Sequence, residues 1–278
     1  MTASVLVLTY NEEVNLPRCI ASVSFSNDVV IYDSFSTDRT VETARGHGAR
    51  VFQRVFDSYG AQREAARTQV EWRNPWLLVV DADEEVDDEL RDEILVVTAR
   101  PTTHAAYRVR RKDHFMGRWI KHSTLYPSWF VRLLRHQRVA YGSRTVHEYP
   151  DVDGTIGELQ GHLVHHSFSK GVEAWLHKHN RYSTMEADET VCAQGSWSVD
   201  WGGLLPGVDP VRRRRALKAL SMHMPFRPSL RFLYMYVLRG GVLDGWEGFT
   251  YCRLLSMYEH LIVLKVKEKR RRLAGLPV

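Results

Sequence analysis

The sequence lacks most of the patterns that assign a class quickly. Only three of its 278 residues are cysteine, Cys19, Cys192 and Cys252, widely separated and never in a CxxC pair. That excludes a zinc ribbon and a thioredoxin-like site, and it fits a reducing compartment. No run reaches the ~18 apolar residues of a membrane-spanning helix. The start, MTASVLVLTYNEE, has neither the basic region nor the apolar stretch of a secretory signal. No GxGxxG follows the first strand-like run, which weakens a dinucleotide-binding reading, and no GxxxxGK[ST], HExxH or GxSxG is present. Phosphate, if bound, must be met by something other than a glycine cradle. No repeat or low-complexity segment is evident.

What remains is a globular composition, 44% hydrophobic and 26% charged. A chain of this length buries roughly 75% of its unfolded surface without staples. Lys and Arg number 38 against 33 Asp and Glu, a net charge of +5. That balance suits phosphate-bearing ligands, nucleic acid or an anionic membrane, and does not choose among them.

Apolar runs and helical spacings alternate through the first eighty residues. SVLVLT (4–9), DVVIYD (28–33), RVFQRV (50–55) and WLLVVD (76–81) read as strands, the continuous runs being those expected of strands buried on both faces. Helical segments lie between them. Asn11 is the expected cap of the first, with Pro17 limiting its start. Ser36, Thr37 or Asp38 is the expected cap of the second, and Gly48 its C-terminal stop. Crossover units of this kind predict a mostly parallel sheet. DDELRDEILVV then predicts a helix with acids in its first turn. AAYRVRR, SWFVRLLR, RVAYG and TIGELQGHLVHHSF predict further strands, mixed or antiparallel. From Ser169 the pattern is helical. The expected division is therefore 1–168, an α/β nucleotide-binding and catalytic domain, and 169–278, a helical C-terminal region.

Ligands of open parallel sheets bind outside the carboxyl ends of the strands. Thr9-Tyr10-Asn11-Glu12, Asp33-Ser34 and Asp81-Ala82-Asp83 occupy those places. In extended backbone Asp81 and Asp83 would point to one side. Such a pair, with a diphosphate, suffices for Mg2+ or Mn2+. The competing reading of DADEEVDDE is an acidic helix start on a solvated face. Asp33 is placed to accept from a base N–H, Tyr10 to lie against a base, and Gln62-Arg63 to open a helix toward phosphate or base.

These residues, in this order, resemble glycosyltransferase family 2 with a GT-A fold. The segments that carry the likeness are VLVLTYNEEVNLPRCIASV, VVIYDSFSTDRTVETARGHGARVF, YGAQREAA and WLLVVDADEEV. YRVRRKDHFMGRWIKHSTLYPSWFVRLLR, VHEYPDVDG, HLVHHSF and MYVLRGGVLDGWEGF further resemble the branch of lipopolysaccharide core β-1,4-glucosyltransferases. Three features depart from the pattern: Phe35 where Gly is usual, Glu64 where Asn is usual, and HSTLYP for a version containing glycine and tryptophan.

The resemblance implies a GT-A (Rossmann-like) fold, a mixed, mostly parallel sheet with flanking helices and a helical C-terminal region. It implies transfer of a sugar from a nucleoside diphosphate sugar, a UDP-sugar, with inversion, to a glycan or glycolipid acceptor. Thr9, Tyr10, Glu12, Asp33 and Arg63 map onto nucleotide-binding positions, and Asp81 and Asp83 onto the metal and diphosphate motif. Inversion needs one base for the acceptor hydroxyl. Glu148 is the first candidate and Asp113 the second. His165 best matches a late metal-binding histidine, ahead of His147, with His162 and His166 nearby.

RRRR (212–215) and KVKEKRRR (265–272) are basic blocks. The expectation is a peripheral contact of 265–272 with an anionic membrane. LRFLYMYVLR (230–239) reads instead as an amphipathic helix packed on the domain. The expected location is cytoplasmic, at the inner face of the cell membrane. Nucleic acid is not an expected partner, because the aromatics form no RNP-like pattern. A nucleotidyltransferase would want a Gly-rich basic loop after the first strand, which TYNEE does not offer. A non-catalytic sugar-nucleotide binder is the remaining alternative.

Overall fold

The computed structural model describes every residue except Met1, 143–149, 193–199, 206, 209–211, 214–215, 217–219, 221–223 and 225. Glu148, His147 and much of the helical pattern over 210–224 lie outside the described residues. The chain forms two compact units, Met1–Trp119 with Leu125–Ser169, and Ile120–Thr124 with Lys170–Val278.

The first unit is built on β1 (Ala3–Thr9), β2 (Val29–Asp33), β3 (Arg50–Gln53) and β4 (Trp76–Asp81), all parallel. The runs of β1 and β4 are apolar at successive positions because both faces are covered. Val5 and Val7 of β1 and Leu78 and Val80 of β4 join one core cluster; Leu6, Leu77 and Val79 join the other. The first core includes Leu16 and Cys19 of α1 (Leu16–Ser22) and Leu90 and Ile94 of α4 (Asp88–Ala99). The second includes Ala65 and Ala66 of α3 (Tyr59–Gln69), while α2 (Thr40–Gly46) adds Ala44 to the first.

Beyond β4 the sheet becomes mixed. The added strands are β5 (Glu84–Val86), β6 (His104–Phe115), β7 (Arg118–Trp119), β8 (Ser128–Arg135) and β11 (Thr155–His165), with β9 (Val139–Ala140) and β10 (Asp151–Val152) paired separately. The order is β3-β2-β1-β4-β8-β6-β11-β5, with β7 on β6. β8 is antiparallel to both β4 and β6, β11 is parallel to β6, and β5 is antiparallel to β11.

Local expectations fail in three places. Asn11 does not cap α1: it sits at φ +54 with its amide oxygen accepting from Thr37 N at 2.8 Å, and Asn15 precedes the helix with no side-chain cap. α2 starts at Thr40, and Asp38 accepts from Thr40 N without being its cap residue; Gly48 does follow the helix, at φ +76. Asp81 and Asp83 do not share one extended segment, because the chain turns at Ala82–Asp83. That turn carries it from β4 onto the end of β11, where His166 N donates to Asp83 O at 2.8 Å.

The second unit contains α5 (Gly171–Cys192), α6 (Arg227–Leu233), a π-helical turn (Tyr234–Leu238), a 3-10 turn (Gly241–Asp244) and α7 (Gly245–Leu273). Ala187 of α5 and Ile262 and Val266 of α7 form its small core. Lys265 Nζ donates to Asn180 O, Ser183 Oγ and Thr184 Oγ1, and Lys269 pairs with Asp188 at 2.6 Å. The segment over 230–239 is not wholly packed on its domain: Leu230, Leu233, Tyr234, Val237 and Leu238 are exposed.

α4 meets β11 through Gly161. Asp87 caps α4 by accepting from Leu90 N at 3.0 Å and also accepts from His162 N at 2.9 Å. Glu93 accepts from Gln160 N and Gly161 N. A Cβ at Gly161 would collide with the backbone N and Cα of Leu90. Gly161→Ala should therefore destabilise by about 1–3 kcal/mol. Thermal unfolding should show a fall of roughly 3–10 °C; an unchanged midpoint would mean that the helix is not pinned there.

Candidate active site

The strand register builds one row of ionisable groups. β11 lies between β6 and β5, placing His165 beside Asp113 on one side and Glu84 on the other. His165 Nδ1 is 2.6 Å from Asp113 Oδ1, and its Nε2 is 3.3 Å from Asp83 Oδ2. Arg111 Nε reaches the same Asp113 oxygen at 3.1 Å. Burial pulls the His165 pKa down, but the bonds to Asp113 and Asp83 outweigh it and raise it to about 9. Asp113 is opposite in sense: burial pushes its carboxyl up, while His165 and Arg111 together hold it below the usual range.

A second group adjoins this row. Arg132 of β8 donates to Asp81 Oδ2 at 2.7 Å and Glu84 Oε1 at 2.9 Å, and Arg63 of α3 reaches Asp81 Oδ1 at 3.3 Å. Glu84 Oε2 accepts from Asp81 N at 3.0 Å. Burial works against an ionised Asp81, but Arg132 and Arg63 hold its carboxyl well below the usual range. Glu84 is pushed up, by burial first and then by Asp81. Glu84 is almost completely buried, so the DADEE half is not a solvated helix start, whereas Asp88 and Glu89 do form the exposed first turn of α4.

The nucleotide-facing candidates divide into enclosed and exposed groups. Asp33 is fully buried; its oxygens accept from Thr9 Oγ1, Ser36 N, Ser36 Oγ and Gln53 Nε2. These four donors fill the carboxylate's acceptor positions, so a base N–H would have to displace Ser36 or Gln53. Gln62 is buried and holds Ser34 Oγ, Arg54 O and Arg54 Nη1. Glu12 accepts from Asn15 Nδ2 and its N–H donates to Thr40 Oγ1. Tyr10, at 58% exposure, is the open group on the β1 turn. Phe35 on the adjoining β2 turn is 51% exposed and stands at φ +59. That left-handed backbone explains why glycine is usual there. The two turns are tied by Ser34 N to Thr9 O and Asn11 N to Ser36 Oγ.

Arg132 and Glu84 are the site residues that sequence reasoning missed. A signal existed: at a spacing of two residues, Arg132 shares a strand face with Phe130 and Leu134. A cation there needs a buried acid. Asp113 and His165 come together as carboxylate and imidazole. Glu148 lies outside the described residues, as does His147. His162 accompanies Tyr126 Oη at 3.0 Å, and His166 accompanies Glu85 at 3.2 Å.

A divalent cation is tested by the donor set. Asp83 Oδ2 and His165 Nε2, 3.3 Å apart, now share a proton; a hard cation that replaced that proton would find an oxygen and an imidazole nitrogen side by side. Asp113 on the other ring nitrogen is the usual partner of a metal-binding histidine. The residues fit. Asp87, Glu89 and His162 also converge. There, however, Asp87 caps α4 and faces Lys112 Nζ at 3.3 Å, which suits a structural role better.

Comparison with known proteins agrees with this architecture. A family model described as Glycosyl transferase family 2 matches residues 4–153. The chain is similar to the lipopolysaccharide core biosynthesis glycosyltransferase LpsC of Rhizobium meliloti, with 26% identity over 272 residues, 96% of this chain and 92% of that one. It is similar to an uncharacterized glycosyltransferase of Rickettsia bellii, with 36% identity over 277 residues, 95% of this chain and 86% of that one. Among solved structures, the mannosyltransferase PcManGT of Pyrobaculum calidifontis, in complex with GDP-Man and Mn2+, matches with a TM-score of 0.52. Its identity is 12%, over 95% of this chain and 86% of that one, so the likeness is one of fold.

Two predictions follow from the geometry. Folded His165 keeps its proton to about pH 9, against an ordinary value near 6.5. Its bridge therefore stabilises fully below pH ~6.5 and is lost as pH rises through ~9, by at most about 1.4 kcal/mol per pH unit. Urea midpoints in EDTA should fall from pH 7 to 9, and His165→Gln should flatten that fall; equal slopes would refute the bridge. Phe35→Gly removes a left-handed strain of about 1–2 kcal/mol at a half-exposed site. After the entropy of glycine it should stabilise by about 0.5–1 kcal/mol, and a lowered melting point would contradict this.

Proposed function

The chain belongs to glycosyltransferase family 2 and has the GT-A fold, and from that premise we propose that it moves a sugar from a UDP-sugar, with inversion, to a glycan or lipid-linked acceptor such as lipopolysaccharide core. The observation that carries the reading is the Asp83–His165–Asp113 row beside an Asp81 already charge-compensated by Arg63 and Arg132. In this reading the row faces a diphosphate with cationic help, at the carboxyl ends of β4, β6 and β11.

In this reading Tyr10 lies along the base and Phe35 borders it. Asp33, Thr9 and Gln62 act indirectly, by fixing the two turns on which those rings stand. Glu12 fixes the start of α1. Asp83 and His165 would hold Mg2+ or Mn2+, which supplies charge neutralisation on the departing diphosphate. Asp113 orients the His165 ring. Its committed hydrogen bonds and lowered pKa make it a weak base, so the acceptor proton is assigned to Glu148. As that proton leaves, the acceptor oxygen bonds to the anomeric carbon and the nucleoside diphosphate departs with the bonding pair. The similarity to LpsC along nearly the whole chain supports an acceptor of the lipopolysaccharide type. A lipid-linked acceptor would place the enzyme at the cytoplasmic membrane face.

Calorimetry with UDP, GDP and CDP, each in Mn2+ and in EDTA, tests the donor. Binding should favour UDP with Mn2+, and Asp83→Ala should abolish the metal-dependent part. Preference for another nucleotide would overturn the donor, and an unchanged Mn2+ dependence would overturn the ligand. Glu148→Gln should keep donor binding but lose ~10²–10⁴-fold in transfer; near-normal turnover would remove it as base.

A further inference from the structure

The segment from Phe226 to Trp246 places its apolar residues the wrong way round for a packed helix. Leu230, Leu233, Tyr234, Val237 and Leu238 recur at the spacing of a core stripe, yet each is exposed, Leu238 at 74%. The inner side has its own apolar contents. Met235 is buried, and Phe232 and Tyr236 stack against each other and meet Phe249. The outward stripe is therefore surplus to the fold. Val242, Leu243 and Trp246, which follow, are exposed as well, Trp246 at 70% although its ring stacks on Phe249. So many exposed large apolar residues in one short segment mark an interaction surface.

The charge pattern identifies the occupant. No Asp or Glu occurs from 226 to 243, while Arg227, Arg231 and Arg239 do. Arg227 is paired with Glu259 at 2.6 Å and Arg239 donates to Thr124 O, so it is the charge of the whole unit that counts. Asp244 is buried, with its carboxylate accepting from His122 N and Ser123 N. Residues 170–278 hold 18 Lys and Arg against 10 Asp and Glu, whereas residues 1–169 hold 20 against 23. The whole positive excess of the chain thus lies on the part that carries the stripe. A twofold contact with a second copy would set these positive charges of residues 170–278 against one another. An anionic lipid surface would complement them, with Tyr234 and Trp246 suited to the headgroup level. Among the described residues no helix is long and apolar enough to cross a membrane.

We infer that residues 226–246 form a face that inserts into the interface of an anionic membrane leaflet. This differs from the sequence expectation, which assigned membrane contact to 265–272. In that tail Lys265 is bonded to α5, Lys269 to Asp188 and Arg272 to Glu268. Its charges are largely engaged, so the tail adds long-range attraction while the stripe provides the anchor. The inference deepens the membrane-face placement proposed above, but it rests on the C-terminal unit and not on the donor site.

Flotation of the full chain with vesicles of phosphatidylcholine, alone and mixed with phosphatidylglycerol, tests it. Binding should require the anionic lipid. Leu238→Asp with Trp246→Ala should weaken it by about tenfold or more, with melting point and UDP–Mn2+ binding unchanged. Replacing Arg270, Arg271 and Arg272 by alanine should have a smaller effect that salt erases. Absence of binding by the wild type, or equal binding by the double variant, overturns the inference. So does a concentration-dependent dimer that the double variant abolishes, which would give the stripe to a second copy. Donor binding measured on the same samples separates this failure from failure of the glycosyltransferase reading.

Discussion

Two shared ions hold the carboxyl end of the sheet together. Arg132 is divided between Asp81 and Glu84, and His165 between Asp83 and Asp113. Three carboxylates lie within a few residues of one turn and Asp113 of β6 joins them, and without these cations their repulsion and desolvation would oppose folding. Removing one partner from a buried pair commonly costs about 3–5 kcal/mol, because the other charge is stranded. The register of β11 against β6 and β5 is what allows the arrangement, since a slip of one residue would turn His165 to the opposite face.

The same constraint separates two tasks. Asp81 is compensated by arginines and belongs to the rigid frame. Asp83 is matched to an imidazole whose other nitrogen is already fixed. Placing Ala82–Asp83 in a turn gives the two aspartates different partners, so one motif serves both the frame and the proposed cation. Asp33 and Gln62 spend their hydrogen bonds inside the protein. They stiffen the turns that carry Tyr10 and Phe35. Rigid support beneath exposed rings is what a base-binding edge requires.

The sequence made the parallel half legible because its strands are buried on both faces: SVLVLT and WLLVVD are apolar at successive positions, and the crossover helices between them leave few other topologies. Gly48 was readable as a helix stop, and Asp113 and His165 as residues of interest. The rest depended on distant pairing. Asp81 and Asp83 looked co-facial because local spacing does not reveal that the chain turns to join β11. Glu84 and Arg132 are neighbours only through sheet order. Asn11 looked like a helix cap, but its amide is taken by Thr37 across the β1 and β2 turns. The stripe over 230–238 has the periodicity of a core helix, and periodicity carries no sign for inside or outside.

The account turns on His165 being the imidazole ligand of the proposed cation. Electron spin-echo spectroscopy of Mn2+ bound with UDP tests that directly. The wild type should show coupling to one imidazole nitrogen, lost in His165→Gln loaded with Mn2+. Bound Mn2+ without nitrogen coupling, or coupling that survives the substitution, would contradict it.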